Sequence, residues 1–181
     1  MVPAFVYGAF IFTYGTKAVG ASRDFLLVVL LIGSFFSFFT IPFSGYLSDR
    51  LGRKPVYIFG AAATGLFAFA YYALLDTAIP GLIVLAVLVA FAFHDLMWGP
   101  LAALAAECFT PRLRYSGASI GFQLAAVFAG GPAPLIATAL LAATGSGYVI
   151  ALYIFRCAIV SIGATAALPS SRDRDFAQDH I

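Results

Sequence analysis

Three ionisable side chains lie in the middle of long apolar stretches of this sequence. His94 and Asp95 are consecutive in a stretch that begins near Pro80, and Arg156 lies in a stretch that begins near Gly147. A charged side chain at the centre of a lipid bilayer costs roughly 3 kcal/mol or more. Each of the three therefore requires a partner or water, and each is a candidate for a role in moving a proton or an ion.

His94 and Asp95 would point in directions about 100° apart on a helix, so they cannot both point straight at one spot. A histidine changes charge near neutral pH, which suits a proton or substrate contact, although a single histidine is often a hydrogen-bonded packing residue. Asp95 could bind a proton, pair with Arg156, or reflect drift in a degraded gene. Both residues are candidates for proton coupling.

Arg156 and Gln123 are weaker candidates for the same site. An inward-facing, paired Arg156 could attract an anionic substrate, whereas an outward-facing one would have to extend towards the bilayer surface or thin the bilayer. Gln123 could hydrogen-bond a substrate or hold two helices together. For each of these two residues, the residue type alone does not decide between the alternatives.

A helix break is predicted within the segment 116–143. Its helix-breaking residues are Gly130, Gly131, Pro132 and Pro134. A break at bilayer depth frees backbone groups that need partners in protein or in a wet cavity. Such a break either builds part of a transport site or is a kink or hinge that only shapes packing.

The composition indicates that lipid is the main solvent of this chain. Hydrophobic residues make up 62% of it and charged residues 10%, whereas a soluble domain has roughly 25% charged residues. The net charge of +2 comes from scattered cations, which argues against a nucleic-acid surface. Two cysteines and two histidines without ligand spacing indicate no metal site, no disulfide and no cofactor.

About 20 apolar residues are needed to span a bilayer as a helix, and this length divides the chain into six segments. The first ends near Gly15 and is short, which suggests a truncated helix. The others are 24–46, 55–75, 80–109, 116–143 and 147–168. We therefore expect an all-α membrane protein with a six-helix bundle over 1–168 and a charged tail over 169–181.

The distribution of Lys and Arg predicts the orientation of the bundle. One side carries Arg50, Arg53, Lys54, Arg112, Arg114, Arg172 and Arg174. The opposite side carries Lys17 and Arg23. Positively charged loops stay on the cytoplasmic side, so both termini are expected in the cytoplasm of a protein in the plasma or inner membrane.

The turn between the second and third segments is dense in glycine and charge. Its distinctive residues are Gly45, Asp49, Arg50, Gly52, Arg53 and Lys54. Gly45 would permit close helix contact, Gly52 can supply a positive φ, and Asp49 could accept hydrogen bonds from N–H groups at a helix start. The alternative is that the cations only set the topology.

Segment 45–54 resembles the G-x-L-x-D-R-x-G-R-K signature of the major facilitator superfamily and matches it at every specified position. That signature joins the second and third helices of each six-helix half. The resemblance implies a fold in which two such halves hold the substrate between them.

Segment 99–123 resembles the region of helices ten and eleven in metabolite:proton symporters. Those proteins show a G-P-Q-A-A...A-E-L-F-P-T-R-x-R-Y-x-G-A-S-x-G-Y-Q pattern there, and the departures of this chain from it include Leu101, Thr110-Pro111 and Phe122. The resemblance implies that the chain corresponds to helices seven to twelve, that a first six-helix half is missing, and that small organic acids, osmolytes or related metabolites are carried with protons.

The same resemblance suggests roles for several charged residues. His94 matches a histidine often found just before the Gly-Pro pair of the helix that lines the central pathway. Glu107, Arg112 and Arg114 resemble a cytoplasmic gate whose charge pairs open and close. Asp49 would meet a helix of the missing half.

The expected function is that of a secondary active transporter fragment, with a small metabolite, a proton and the lipid bilayer as its partners. The sequence lacks the H-E-x-x-H and nucleotide-loop motifs of enzymes. The alternatives are a small channel and a truncated membrane protein that does not transport.

Overall fold

The computed structural model describes residues 2–110 and 112–168, and these residues form six helical segments. We number the segments α1 to α6 in chain order. Segment α1 consists of Val2–Phe5, a π-helical turn at Val6–Phe10, and Ile11–Lys17. The next three helices are α2 (Arg23–Leu51), α3 (Arg53–Asp76) and α4 (Pro80–Ala106). Segment α5 consists of Arg114–Ala125, a π-helical turn at Ala126–Gly130, and Ala133–Thr144, and α6 is Gly147–Ala167.

Five of these segments, α2 to α6, are long and apolar enough to cross a membrane, with lengths of 21 to 31 residues. The expected all-α membrane protein is confirmed, and the predicted limits of these helices agree with the structure to within five residues, the largest difference being at the end of α2. Segment α1 is shorter than a membrane-spanning helix, as its sequence predicts. The predicted tail over 169–181, with Arg172, Arg174 and His180, lies outside the described residues, as does Pro111.

Local sequence explains where the helices begin and end. The Ser22 hydroxyl accepts a hydrogen bond from the Phe25 N–H at the start of α2, at 3.3 Å. Pro80 occupies the first turn of α4, where its missing N–H is harmless. Gly52 alone separates α2 from α3 and has a φ of 101°, which confirms the predicted positive φ and explains why this turn is so tight.

Segment α1 is buried in the bundle rather than lying at its edge. Its residues Val6, Tyr7, Phe10 and Ile11 are at most 2% exposed and belong to the main apolar core. Helix α3 packs against both α4 and α6, and α4 also packs against α2. Helix α5 has a smaller buried fraction than α3, α4 or α6. The core therefore lies mainly between α1, α3, α4 and α6, and α5 adds the fully buried Ala133 and Ala137 to it.

Helices α2 and α4 approach closely at Gly99. A Cβ atom at this position would lie 1.9 Å from the Ser44 Oγ and 2.8 Å from the backbone N of Gly45. At Gly45 itself a Cβ would meet nothing within 4 Å among the described residues, so this contact with α4 does not require a glycine at position 45. The small residue that this contact requires is on α4.

Candidate functional site

The buried carboxylate of Asp95 lies at the contact between α4 and α2. Asp95 is 2% exposed, and its Oδ2 accepts a hydrogen bond from the Thr40 hydroxyl. One turn further along α2, the Ser44 hydroxyl lies 2.7 Å from the backbone carbonyl oxygen of Asp95. The close approach at Gly99 brings these hydroxyls within reach. Asp95 is thus held by two side chains on one face of α2.

His94 lies beside this carboxylate and turns towards another neighbour. Its Nδ1 is 3.5 Å from the Asp95 Oδ1, and its side chain is 15% exposed. The imidazole stacks on Trp98, with ring centres 5.4 Å apart and planes inclined by 29°. Trp98 in turn meets the edge of Phe122 on α5 at 5.8 Å. The adjacent residues diverge as predicted, with Asp95 facing α2 and His94 stacked on an aromatic pair that reaches α5.

Arg156 lies in a different place from His94 and Asp95. It is exposed on α6 and lines an open groove of about 860 Å³ between α3, α4, α5 and α6. Within residues 2–110 and 112–168, the structure contains no ion pair between Arg156 and Asp95, the pairing that the sequence left open. Gln123 is exposed on α5.

The predicted helix break in α5 occurs as a π-helical turn. The turn covers Ala126–Gly130, the Gly131 N–H donates to the Ala126 carbonyl oxygen at 2.8 Å, and α5 resumes at Ala133. π-Helical turns are often found at functional sites. Pro132 and Pro134 lie just beyond the turn, where helix α5 restarts.

The charged turn between α2 and α3 is connected to the end of α4. Arg53 forms ion pairs with Glu107 and, at 3.3 Å, with the Asp49 Oδ1. The Asp49 carboxylate therefore accepts from the Arg53 side chain within this chain. The Lys54 Nζ donates to the Leu168 carbonyl oxygen at the end of α6. These bonds connect the ends of α2, α3, α4 and α6.

The remaining charged residues of this end have separate environments. The Arg50 guanidinium lies 4.6 Å from the centre of the Tyr46 ring. Arg112 is exposed, and Arg114 is partly buried. The sequence grouped both with Glu107 as gate residues, and the structure shows an ion pair between Glu107 and Arg53.

Several residues of this site escaped the sequence analysis. Thr40, Ser44 and Trp98 carry no signal of their own, because a hydroxyl or an aromatic ring on an apolar helix is usual. The spacing of Thr40 and Ser44, four residues apart on one helix face, identifies them only once α4 is known to lie opposite. Among the described residues, no group of three or more His, Cys, Asp or Glu is arranged to hold a metal ion.

The chain is similar to known membrane transporters over nearly its whole length. A family model described as "Sugar (and other) transporter" matches residues 1–179. The shikimate transporter of Escherichia coli is 33% identical over 177 residues, which cover 96% of this chain and 40% of that protein. The citrate-proton symporter of Klebsiella pneumoniae is 31% identical over 157 residues, which cover 86% of this chain and 35% of that protein.

A third relative, an ectoine/proline transporter of Corynebacterium glutamicum, is 36% identical over 137 residues, covering 73% of this chain and 26% of that protein. The chain thus spans well under half the length of the curated relatives that it matches. No solved structure matches it.

Proposed function

The chain belongs to the sugar (and other) transporter family of the major facilitator superfamily, and from this membership we propose that it forms one half of a proton-coupled secondary transporter. The partial coverage of the relatives supports a missing half, because transporters of this superfamily hold their substrate between two bundles. The relatives are named for shikimate, citrate, and ectoine and proline. All four molecules carry a carboxylate, so the proposed substrate is a small carboxylate-bearing metabolite.

The buried carboxylate of Asp95 is the observation that carries the coupling part of this proposal. Asp95 lies near the middle of α4, is 2% exposed, and accepts a hydrogen bond from Thr40 on another helix. An ionisable group in such a place is costly unless it is paired or used. Its proposed role is to bind the transported proton, with His94 as the neighbouring group that exchanges the proton with the pathway.

A change in the charge of Asp95 would act on the contact between α2 and α4. In its ionised form the carboxylate can only accept hydrogen bonds, whereas in its protonated form it also donates one. The Thr40 hydroxyl can donate to the ionised form and can rotate to accept from the protonated form. Because this bond joins two helices, the protonation of Asp95 would bias how α2 and α4 lie against one another, as alternating access requires.

The test is uptake of labelled citrate and labelled shikimate into proteoliposomes with an imposed pH gradient. The chain is reconstituted alone and together with the part of the E. coli shikimate transporter that lies outside the matched region. We expect gradient-driven uptake only in the combined preparation. No uptake in either preparation would contradict the transporter proposal, and a gradient-independent ion current from the chain alone would favour a channel.

The role of Asp95 is tested in the same preparation with Asp95→Asn, which keeps the shape of the side chain and removes its charge. We expect gradient-driven uptake to fall at least tenfold while exchange of labelled for unlabelled substrate is retained. Asp24→Asn is the matched control, because Asp24 is exposed at the start of α2. Gradient-driven uptake by this variant should be unchanged. Unchanged gradient dependence in Asp95→Asn would remove Asp95 from the coupling role.

A further inference from the structure

The groove that contains Arg156 has the chemistry of a binding site distinct from His94 and Asp95. Its wall on α6 begins at Tyr153, includes Arg156 halfway along the helix and ends at Leu168, and its volume is about 860 Å³. The twelve residues that follow Arg156 up to Leu168 correspond to a length of about 18 Å at 1.5 Å per residue. The groove is therefore elongated, and at Leu168 it reaches the end of the bundle where Lys54 donates to the Leu168 carbonyl oxygen.

Thr64 on α3 and Arg156 on α6 both line this groove and lie at the same depth in the bundle. The hydroxyls of Tyr57 on α3 and Ser161 on α6 are 2.8 Å apart. One to two turns deeper, a Cβ at Gly65 would lie 2.9 Å from the Ala158 Cβ. This register sets Thr64, the neighbour of Gly65, level with Arg156 in the antiparallel pair of helices.

Thr64 is the second observation that points to a ligand. It lines the groove and is 1% exposed, yet its hydroxyl has no hydrogen-bond partner among the described residues. A buried hydroxyl usually has a partner, because leaving it unpaired is costly. Thr64 and Arg156 can thus provide one hydroxyl and one guanidinium to a group bound at this depth.

Most of the remaining wall of the groove is apolar. Its walls include Met97, Leu101 and Leu104 of α4 and Phe122 of α5. Arg156 is the one charged side chain among the described residues that line it. A small hydrophilic acid would leave most of this wall without contacts, and a second carboxylate would find no cation here. The complementary ligand has one carboxylate and a hydrocarbon chain.

We propose that this groove binds a fatty acid, with the carboxylate at Arg156 and Thr64 and the hydrocarbon chain extending along α4 and α6 towards Leu168. The guanidinium can form two parallel hydrogen bonds to a carboxylate, and the apolar walls receive the chain. The proposal does not depend on transport, because it concerns a ligand bound within a single bundle.

The test is binding of dodecanoate to the 181-residue chain in phosphatidylcholine nanodiscs, measured by displacement of a fluorescent fatty acid. Dodecanol and citrate are the comparison ligands, since one lacks the charge and the other lacks the hydrocarbon chain. We expect dodecanoate to bind at least tenfold more tightly than dodecanol and citrate not to compete. Equal binding of dodecanoate and dodecanol, or competition by citrate, would overturn the proposal.

The variants Arg156→Gln and Thr64→Val test the deep end of the groove. We expect Arg156→Gln to bind dodecanoate and dodecanol equally, and Thr64→Val to bind dodecanoate several-fold more weakly. Arg23→Gln, which removes a cation at the start of α2 outside the groove, should retain the preference of the unaltered chain. Retention of that preference by Arg156→Gln would overturn the proposal.

If Arg156→Gln bound neither dodecanoate nor dodecanol, its fold would be damaged. The variant Arg156→Lys then tests whether the charge at this position binds the carboxylate. Lysine keeps the charge of the side chain, so Arg156→Lys should still prefer dodecanoate over dodecanol. Equal binding of the two ligands by this variant would contradict the proposal.

Discussion

At the scale of single residues, the hydrogen bond between Thr40 and Asp95 is the contact whose loss should be easiest to measure. Thr40→Val keeps the shape of the side chain and removes the hydroxyl that donates to the buried carboxylate. Leaving a buried acceptor unpaired costs about 1–3 kcal/mol. We therefore expect Thr40→Val to lower the free energy of unfolding by that amount, measured by denaturant unfolding in detergent micelles.

Two matched variants separate this bond from the general effect of removing a threonine. Thr40→Ser keeps the hydroxyl and should retain most of the stability. Thr138→Val removes an exposed hydroxyl that bonds to the Pro134 carbonyl oxygen of its own helix, and it should change stability little. If Thr40→Val and Thr138→Val had equal effects, Thr40 would have no special part in holding Asp95.

Of the two residues in this hydrogen bond, only Asp95 could be identified from the sequence. Asp95 is conspicuous because a carboxylate in an apolar helix is rare. Thr40 is not, because a threonine in a membrane helix usually bonds to its own backbone, as Thr40 also does with the Phe36 carbonyl oxygen at 3.4 Å. Its second partner depends on how α2 and α4 are rotated, and nothing local to either helix specifies that rotation.

At the scale of helices, the close approach of α2 and α4 depends on Gly99. In Gly99→Ala the new Cβ would meet both the Ser44 side chain and the backbone of Gly45, so the helices have to move apart. Overpacking of this kind costs about 1–3 kcal/mol. We expect Gly99→Ala to be destabilised by that amount in detergent and to lose the contact between Ser44 and Asp95.

Gly163→Ala is the control for this substitution. Gly163 lies inside α6, and a Cβ there would meet nothing within 4 Å. Alanine is favoured over glycine in a helix by about 0.5–1 kcal/mol, so Gly163→Ala should be slightly more stable than the unaltered chain. A Gly99→Ala variant as stable as Gly163→Ala would show that α2 and α4 are not in close contact.

Helix limits are predictable here for a physical reason, whereas helix irregularities are not. Charges and Gly/Pro pairs interrupt apolar runs at the membrane surface, which is how Gly52, Pro80 and Gly145 mark the ends of segments. The π-helical turns at Val6–Phe10 and Ala126–Gly130 lack such a signal, because a wider turn depends on the packing of neighbouring helices. The cluster of Gly130 to Pro134 predicted that α5 is interrupted, but it did not predict that the interruption is a π-helical turn.

At the scale of the whole molecule, α2 leaves an aromatic face uncovered. Phe35, Phe38, Phe39 and Phe43 are 58–73% exposed. Lipid can cover such a face, and so can the bundle that the proposed transporter requires as its second half. The amino-acid pattern of α2 does not separate these possibilities, because lipid-facing and helix-facing surfaces of a membrane helix are both apolar.

The orientation of the bundle yields a prediction that does not depend on a partner. If the positively charged turn between α2 and α3 faces the cytoplasm, then the turn between α3 and α4 faces the outside. Leu51 and Ile79 are suitable reporters. Leu51 is the last residue before the first turn, Ile79 lies in the second turn, and they are 62% and 53% exposed. Each is replaced by cysteine in a background with Cys108→Ala and Cys157→Ala, and intact cells are treated with a membrane-impermeant maleimide.

We expect Ile79→Cys to react in intact cells and Leu51→Cys to react only after the membrane is permeabilised. The physical reason is that Arg50, Arg53 and Lys54 next to Leu51 resist transfer across the membrane during insertion, whereas no Lys or Arg lies next to Ile79. Equal labelling of both cysteines after permeabilisation is the control for accessibility. Labelling of Leu51→Cys from outside intact cells would show that the bundle has the opposite orientation, with the ion pair of Arg53 and Glu107 at the outer face of the membrane.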